Sequence, residues 1–239
     1  MKTIIKYIRF IFYMIGTMFK RIKYEKTAKK FGKKKAEEYL DKILLDWVKF
    51  CIRLLEIKVI TIGAENIPEG NFLIVANHQG NLDIPCIMYS LNRKVGFIAK
   101  KEMENIPLIS YWMKKINCVF MDRENIREAV KSINKGVDLL KAGKVLAIFP
   151  EGTRSRGNKM GEFKKGSLKL GTKAKVPILP IAINGSYKIM EESHGWIIKK
   201  GDIKIKISKP IITENLSMEE VKELPSKIEG IIRENLNEL

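Results

Sequence analysis

The chain contains little cysteine and little histidine: three cysteines and two histidines among 239 residues. Cys51, Cys86 and Cys118 are odd in number and lack C-x-x-C spacing. This excludes a disulfide framework and a zinc ribbon, and it favours a reducing compartment. With only His78 and His194 available, we expect neither a histidine-rich metal site nor a resident cofactor.

Acidic residues are scarce near the N-terminus. Residues 1–35 hold twelve basic side chains and one acid, Glu25, so they carry +11 of the net charge of +18. A basic segment of this kind is typical of proteins that meet nucleic acid or anionic lipid. A lysine-rich composition of the whole proteome is the alternative explanation of the charge.

The apolar content of this segment favours lipid over nucleic acid. On a helical wheel, the polar side chains fall within an arc of about 80°. They are Lys2, Lys6, Arg9, Tyr13, Thr17 and Lys20, and isoleucine, phenylalanine and methionine fill the rest. This pattern predicts a helix in a bilayer interface, with its lysines reaching the headgroups. Arms that bind nucleic acid lack this apolar content, so no nucleic-acid partner is expected.

The sequence also lacks a long uncharged apolar run. Residues 10–19 form a run of ten, whereas about 20 are needed to span a bilayer. Lys6 and Arg9 interrupt the apolar stretch and no A-x-A site follows, which argues against a secretory signal. We therefore predict a monomer that is peripheral or monotopic on the cytoplasmic face of the cell membrane.

A second amphipathic helix is predicted from Lys42, joined to the first by a basic linker over Lys20–Lys35. We expect its C-terminal half to pack on the main domain and its N-terminal half to share the membrane. The predicted organisation is a two-helix membrane-associating segment, 1–56, followed by a main domain, 57–239.

Short apolar runs alternate with helical patterns throughout the main domain. The predicted strands are Lys58–Ile62, Phe72–Ala76, Val95–Ala99, Val119–Met121, Val145–Phe149, Ile178–Ile183 and Ile203–Ile207. The clearest helix runs from Asn125 to Ala142, and a closing helix over Met218–Leu239 is expected to break near Pro225. Continuous apolar strands belong in a sheet that is covered on both faces, so the predicted class is α/β with a central, mostly parallel sheet flanked by helices.

Two loops follow apolar strands, where the chemistry of parallel sheets is found. The first, residues 77–83, reads NHQGNLD, and His78 and Asp83 suit a general base and the carboxylate that orients it. By spacing alone, a turn-capping histidine and a helix-capping aspartate fit equally well. The second, residues 149–156, reads FPEGTRSR, in which Arg154 suits a phosphate or an ion pair with Glu151.

Together these loops resemble motifs of the glycerolipid acyltransferases, most closely the 1-acyl-glycerol-3-phosphate (lysophosphatidate) acyltransferases. Three further segments resemble the family in the same order: GFIAKKE with Ile106-Pro107, VFMDR at 119–123, and VPILP at 176–180. About 130 residues carry the resemblance. Its fold is expected to be the α/β fold of that family.

The resemblance implies transfer of an acyl group from a thioester, acyl-coenzyme A or acyl carrier protein, to the free hydroxyl of lysophosphatidate. It implies that His78 is the general base and Asp83 its positioning partner. Glu151, Gly152 and Thr153 would then position the acceptor, and Arg154 with Lys100 or Lys101 would bind its phosphate. Asn77, Arg123 and Ser155 would have supporting roles.

Three alternatives remain at this stage. Cys86 lies eight residues after His78 and would serve a covalent mechanism, although its apolar surroundings favour a buried side chain. A non-enzymatic basic protein that binds membrane or nucleic acid would explain the charge, but not the two loops. Another lysophospholipid as the acceptor would fit the same motifs.

Overall fold

The computed structural model describes residues 2–164 and 166–239. The first helix, α1, spans Lys2–Leu55 and is broken at Gly32, whose φ of 81° and ψ of 175° are not helical. We call residues 2–31 the first arm and residues 33–55 the second arm. The expected basic linker is wrong, since helix continues through residues 20–31. Lysine and alanine are good helix formers, so charge alone does not end a helix.

The two arms run antiparallel. Lys6 near the start of the first arm bonds the carboxylate of Glu56 at 2.9 Å, and Tyr13 stacks on Phe50 with the ring centroids 3.9 Å apart. The break at Gly32 therefore reverses the chain into a helical hairpin.

The orientation of the first arm differs from the expected one. Lys6, Tyr13 and Thr17 of the polar stripe face the protein, and Thr17 is buried and accepts a hydrogen bond from Trp112 Nε1 at 3.1 Å. The expectation that this stripe faces lipid headgroups is therefore wrong for these three residues. The exposed side is instead an apolar face, which consists of Ile4, Ile5, Ile8, Ile11, Phe12, Ile15, Met18, Phe19 and Ile22.

Each predicted strand segment contains or overlaps an observed strand. The strands are β1 (Ile57–Ile62), β2 (Leu73–Ala76), β3 (Gly96–Lys100), β4 (Val119–Met121), β5 (Leu146–Ile148), β6 (Ile178–Asn184) and β7 (Gly201–Ile207). They form one sheet in the order β1-β7-β6-β2-β5-β3-β4. Every pair is parallel except β6 with β7, which is antiparallel. The central β2 therefore lies between β5 and β6.

The remaining helices are α2 (Asp83–Leu91), α3 (Ile109–Lys115), α4 (Ile126–Lys141), α5 (Lys169–Ala174), α6 (Ser186–Ile189) and α7 (Met218–Glu238). The predicted break near Pro225 is wrong, because α7 is continuous. Ser217 and Glu220 form a capping box at its start, and Leu224, Ile228 and Ile232 are buried. Capping and burial offset the hydrogen bond that a proline removes.

Helices cover both faces of the sheet. Ile74 and Ala76 pack into a core that includes α2 and the second arm, whereas Leu73 and Val75 pack into a core with α4, α5 and α7. This explains why β2 is a continuous apolar run. The second arm is buried against the sheet from Ala36 onwards, so its N-terminal half also packs on the main domain. Across residues 2–164 and 166–239, no helix is both long and apolar enough to pass through a bilayer.

Candidate active site

A histidine–aspartate pair lies at the carboxyl end of the central strand β2. His78 follows β2 in the loop, and Asp83 is the first residue of α2. The tight turn between them places His78 Nδ1 2.7 Å from Asp83 Oδ2. The two side chains that the motif singled out are therefore in direct contact.

Asp83 is a fully buried carboxylate whose oxygens both accept hydrogen bonds. Its Oδ2 accepts from the backbone N–H groups of Gln79, at 2.7 Å, and Gly80, at 2.9 Å. Its Oδ1 accepts from the hydroxyl of Ser186. Both oxygens of Asp83 therefore act as acceptors, so in the contact with His78 it is Nδ1–H that donates. This assigns the ring proton to Nδ1 and leaves Nε2 as the basic nitrogen.

The imidazole of His78 is held on its face as well as at its edge. The ring stacks on Phe149 at the end of β5, with centroids 3.9 Å apart and planes 10° apart. The side chain keeps 16% of its surface exposed. Within the described parts of the chain, Nε2 has no hydrogen-bond partner. The ring is fixed in orientation and its basic nitrogen is available to a substrate.

The turn after β6 fixes the same loop from the opposite side. Asn77 donates to the carbonyl of Ile183 at 2.9 Å and accepts from its N–H at 2.8 Å. Gln79 accepts from the N–H of Gly185 at 3.0 Å. With the bond from Ser186 to Asp83, four hydrogen bonds join residues 77–83 to β6 and to the turn that follows it. The supporting role expected for Asn77 is consistent with these bonds.

Glu151 is buried and bonds backbone groups rather than facing open space. Its Oε1 accepts from the N–H of His78 at 2.6 Å, and its Oε2 accepts from the N–H of Gly161 at 2.7 Å. Burial raises the pKa of Glu151. Ser155 N–H donates to the His78 carbonyl at 2.8 Å, so the second loop runs along the first. These bonds make Glu151 a residue that positions the loop of His78, and its expected role in positioning the acceptor stays a prediction.

Arg154 pairs with residues of other loops, not with Glu151. Its Nη1 donates to Asn81 Oδ1 at 2.8 Å and lies 3.8 Å from Glu191 Oε1. Glu191 also accepts from the N–H of Asn81 at 2.8 Å, and burial raises the pKa of its carboxyl. A Cβ on Gly80 would lie 2.5 Å from Glu191 Oε2, so only glycine permits this approach.

The other predicted basic residues lie around the second loop or farther along the sheet. Arg123 donates to the carbonyl of Gly152. Lys100 and Lys101 are exposed and pair with Glu102 at 2.8 Å and Asp122 at 3.0 Å. Lys100 ends β3 and Lys101 follows it, and β3 is two strands from β2, or about 10 Å across the sheet. Thr153 is exposed.

Cys86 lies inside α2 and is fully buried. Burial, and then the nearby Asp83 carboxylate, raises the pKa of its thiol well above the ordinary value. A nucleophilic cysteine requires an accessible thiolate. Cys86 therefore has the surroundings of a packing residue.

Sequence reasoning missed three residues at this site: Ser186, Glu191 and Lys164. The first two follow β6, and the rule that sites follow central strands would have indicated Ser186. Glu191 lies in a polar segment, and only the folded chain shows that it is buried. Lys164 extends over Gly152: a Cβ added at residue 152 would lie 3.0 Å from Lys164 Nζ. No sequence motif indicated Lys164.

The chain is also similar to known proteins. Residues 58–184 match the family model described as "Acyltransferase". The chain is 32% identical over 188 residues to a 1-acyl-sn-glycerol-3-phosphate acyltransferase of Saccharomyces cerevisiae, covering 77% of this chain and 61% of the yeast protein. It is 40% identical over 140 residues to a probable enzyme of the same name from Mycoplasma pneumoniae, covering 56% of this chain and 52% of that protein.

The fold has a solved relative. The crystal structure of the 1-acyl-sn-glycerophosphate acyltransferase of Thermotoga maritima superposes with a TM-score of 0.83 at 31% identity, covering 100% of this chain and 97% of that one. The chain thus spans about three fifths of the length of the yeast protein and about half of that of the Mycoplasma protein. It spans nearly all of the Thermotoga protein. The family match, the solved relative and the order of the motifs show that the chain belongs to the acyltransferase family.

Proposed function

We propose that this protein transfers a fatty acyl group from a thioester to the sn-2 hydroxyl of lysophosphatidate, forming phosphatidate for phospholipid synthesis. The observation that carries the proposal is the contact between His78 Nδ1 and Asp83 Oδ2, with Nε2 left as a base at the end of β2. The names of the yeast, Mycoplasma and Thermotoga relatives support lysophosphatidate as the acceptor.

The reaction needs one base and no covalent intermediate. His78 Nε2 takes the proton of the acceptor hydroxyl as its oxygen attacks the thioester carbonyl carbon. Asp83 stabilises the imidazolium that forms. The carbon–sulfur bond then breaks, and the thiolate leaves as a thiol with the proton from His78. A thioester is already activated, so orientation of an alcohol beside a base suffices. Acyl-coenzyme A and acyl carrier protein both present this group.

The phosphate of the acceptor is proposed to bind at Arg154. The guanidinium is pre-positioned by Asn81 and Glu191 and is partly exposed at the site. Its planar donors suit a phosphate. Lys164 and Arg123, beside Gly152, extend the positive charge, with Lys100 or Lys101 at its outer end. Another lysophospholipid remains the second candidate acceptor, because the His78 and Asp83 geometry does not depend on the headgroup.

The protein is proposed to act as a monomer on the cytoplasmic face of the cell membrane, bound through the first arm. The orientation of the first arm supports the membrane association: Lys6, Tyr13 and Thr17 of the polar stripe pack on protein, and the apolar face is exposed. A patch of nine large exposed apolar side chains is typical of a surface that contacts a membrane or another protein. Residues 23–35, which follow the apolar face in the chain, are rich in lysine and suit anionic headgroups.

The test uses the purified full chain, with mass spectrometry of the lipid product. Lysophosphatidate and a lysophospholipid with a neutral headgroup are each offered with acyl-coenzyme A and with acyl carrier protein thioesters. Phosphatidate formed faster than the other product supports the proposal. Equal use of both acceptors would replace it with a broader lysophospholipid acyltransferase, and no product with any donor would refute it.

A further inference from the structure

A second exposed apolar element lies outside α1, in the loop Ser193–Ile198. Trp196 is 84% exposed and Ile197 is 56% exposed. The loop backbone is nonetheless ordered: Ser193 Oγ accepts from the N–H of Ile197 at 3.1 Å, and the N–H of Trp196 donates to the Ser193 carbonyl at 3.0 Å. An ordered turn therefore holds a tryptophan outward.

This loop is attached to the first arm. Tyr7 donates its hydroxyl to the carbonyl of Gly195 at 2.8 Å, and the N–H of Ile198 donates to Thr3 Oγ1 at 3.2 Å. Tyr7 shares a side of the helix with Ile4 and Ile11, which belong to the apolar face. The exposed tryptophan therefore lies beside the N-terminal turns of that face.

The charges nearby suit an anionic surface. Lys200 follows the loop and is exposed, as is Lys2 at the start of the arm, and the exposed Lys199 between the loop and Lys200 pairs with Glu192 at 2.9 Å. A second copy of this chain would bring another net charge of +18 to the same surface, and like charges oppose that pairing. Anionic lipid offers both the apolar cover and the opposite charge.

We propose that Trp196 and Ile197 insert into the same anionic bilayer as the first arm, as a second contact that fixes how the active site faces the membrane. This rests on the proposed membrane association. Glu191, which bonds Asn81 and faces Arg154, lies two residues before this loop. Trp196 is five positions after Glu191 in the chain, a distance of at most about 18 Å.

Trp196 therefore lies closer to Glu191 than the thickness of one leaflet, which is about 20 Å with its headgroups. With Trp196 in the interface, a lysolipid can present its headgroup to Arg154 and His78 without leaving the membrane. The loop thus connects the membrane to the site on the side where the phosphate is bound.

The first test is binding of the full chain to vesicles of phosphatidylglycerol and phosphatidylcholine. Trp196→Ala lowers the partition coefficient by about ten-fold or more, as expected for a large apolar side chain removed from lipid. Met218→Ala is the matched control, because Met218 is 82% exposed at the start of α7; it changes partitioning by less than about two-fold. Equal partitioning of the two variants would overturn the proposal.

The second test is quenching of tryptophan emission by phosphatidylcholine brominated in its acyl chains, added to the same vesicles. Trp47 and Trp112 are only partly exposed and pack against the core, so the quenched emission is that of Trp196 and disappears in Trp196→Phe. Quenching that is equal in the wild type and this variant would overturn the proposal. So would a dimer, seen by light scattering without lipid, that Trp196→Ala dissociates.

Both tests measure membrane binding and not acyl transfer. A chain without acyltransferase activity that still shows both results refutes the proposed function alone. An active chain whose Trp196→Ala variant binds vesicles as the wild type does refutes the membrane contact alone.

Discussion

At the scale of single residues, the site is a buried carboxylate that is satisfied from several directions. Asp83 accepts from two backbone N–H groups and from Ser186, and it holds His78 Nδ1. Each donor removes part of the cost of burying a charge. The Ser186 hydroxyl bonds Asp83 and lies 3.5 Å from Gln79 Oε1, with no hydrogen bond to His78, so it acts through Asp83 as a positioning residue.

Loss of the Ser186 hydroxyl leaves one oxygen of Asp83 without its donor in a buried setting, at a cost of about 1–3 kcal/mol. Ser186→Ala should therefore lower kcat by about ten-fold or more with little change in KM, and Ser186→Thr should restore most of it. Steady-state kinetics at several pH values measure this. Ser132→Ala, which removes a hydroxyl bond to Phe120 far from the site, is the control. A loss confined to KM would contradict the positioning role.

We expect Glu191 to lower the stability of the folded protein while it positions Asn81 and Arg154. Burial raises the pKa of its carboxyl, and Oε2 is buried without a partner among the described residues. A raised pKa in the folded state means that the native protein is favoured when Glu191 is protonated, and that this stability is lost as pH rises through the folded pKa. Glu191→Gln keeps the acceptor for Asn81 and removes the buried charge.

Glu191→Gln should therefore raise the free energy of unfolding by about 1 kcal/mol at pH 8. The gain should shrink as the pH falls toward the ordinary glutamate pKa. Urea unfolding at pH 8 and pH 5 measures both values. A gain that is independent of pH would show that the charge is not its cause.

Arg154→Ala should weaken use of a phosphorylated acceptor, because it removes a charge-assisted contact worth about 1.5–3 kcal/mol. A lysolipid without the phosphate should be a poor substrate for the wild type and little affected by the change. Competing the two acceptors in one reaction, with mass spectrometry of both products, gives the ratio directly. Equal losses on both acceptors would mean that Arg154 only supports Asn81 and Glu191.

At the scale of elements, strands were the most predictable feature and the first arm the least. Apolar runs such as FLIVA and VLAIF are short and lie between turn signals, so the strands could be read from sequence. The orientation of the first arm could not, because a helical wheel gives two faces but not their partners. The hydrogen bond from Trp112 to Thr17 decides which face packs inward, and it joins residues 95 positions apart.

The exposed apolar face leads to a prediction about how salt affects membrane binding. Phe12 and Phe19 are 69% and 74% exposed, so replacing both with serine should leave the unfolding free energy nearly unchanged. Binding of the wild type to anionic vesicles should weaken but persist in high salt, because salt screens the lysines and not the apolar contact. The double variant should be released by salt. Sedimentation with vesicles at low and high salt measures this.

Ile126→Ser is the control for that experiment, since Ile126 is 81% exposed on α4, outside the first arm. It should bind as the wild type does at both salt concentrations. If the double variant also resists salt, the first arm is not the main membrane contact.

At the scale of the whole molecule, the topology explains why distant motifs meet. The order β6-β2-β5 places the carboxyl ends of three parallel strands side by side, and the loops after them carry His78, Glu151 and Ser186. The two motif loops were predicted from sequence, and so was their proximity. The role of Glu151 and the contribution of β6 were not, since both depend on which backbone groups remain unpaired after folding.

The central claim is that His78 activates the acceptor directly. Its most direct measurement is the initial rate of phosphatidate formation by the wild type, His78→Ala and Cys86→Ala, each verified as folded by circular dichroism. The account predicts that His78→Ala loses about two to four orders of magnitude, while Cys86→Ala stays active. A folded but inactive Cys86→Ala beside an active His78→Ala would contradict it and would indicate a covalent acyl-cysteine instead.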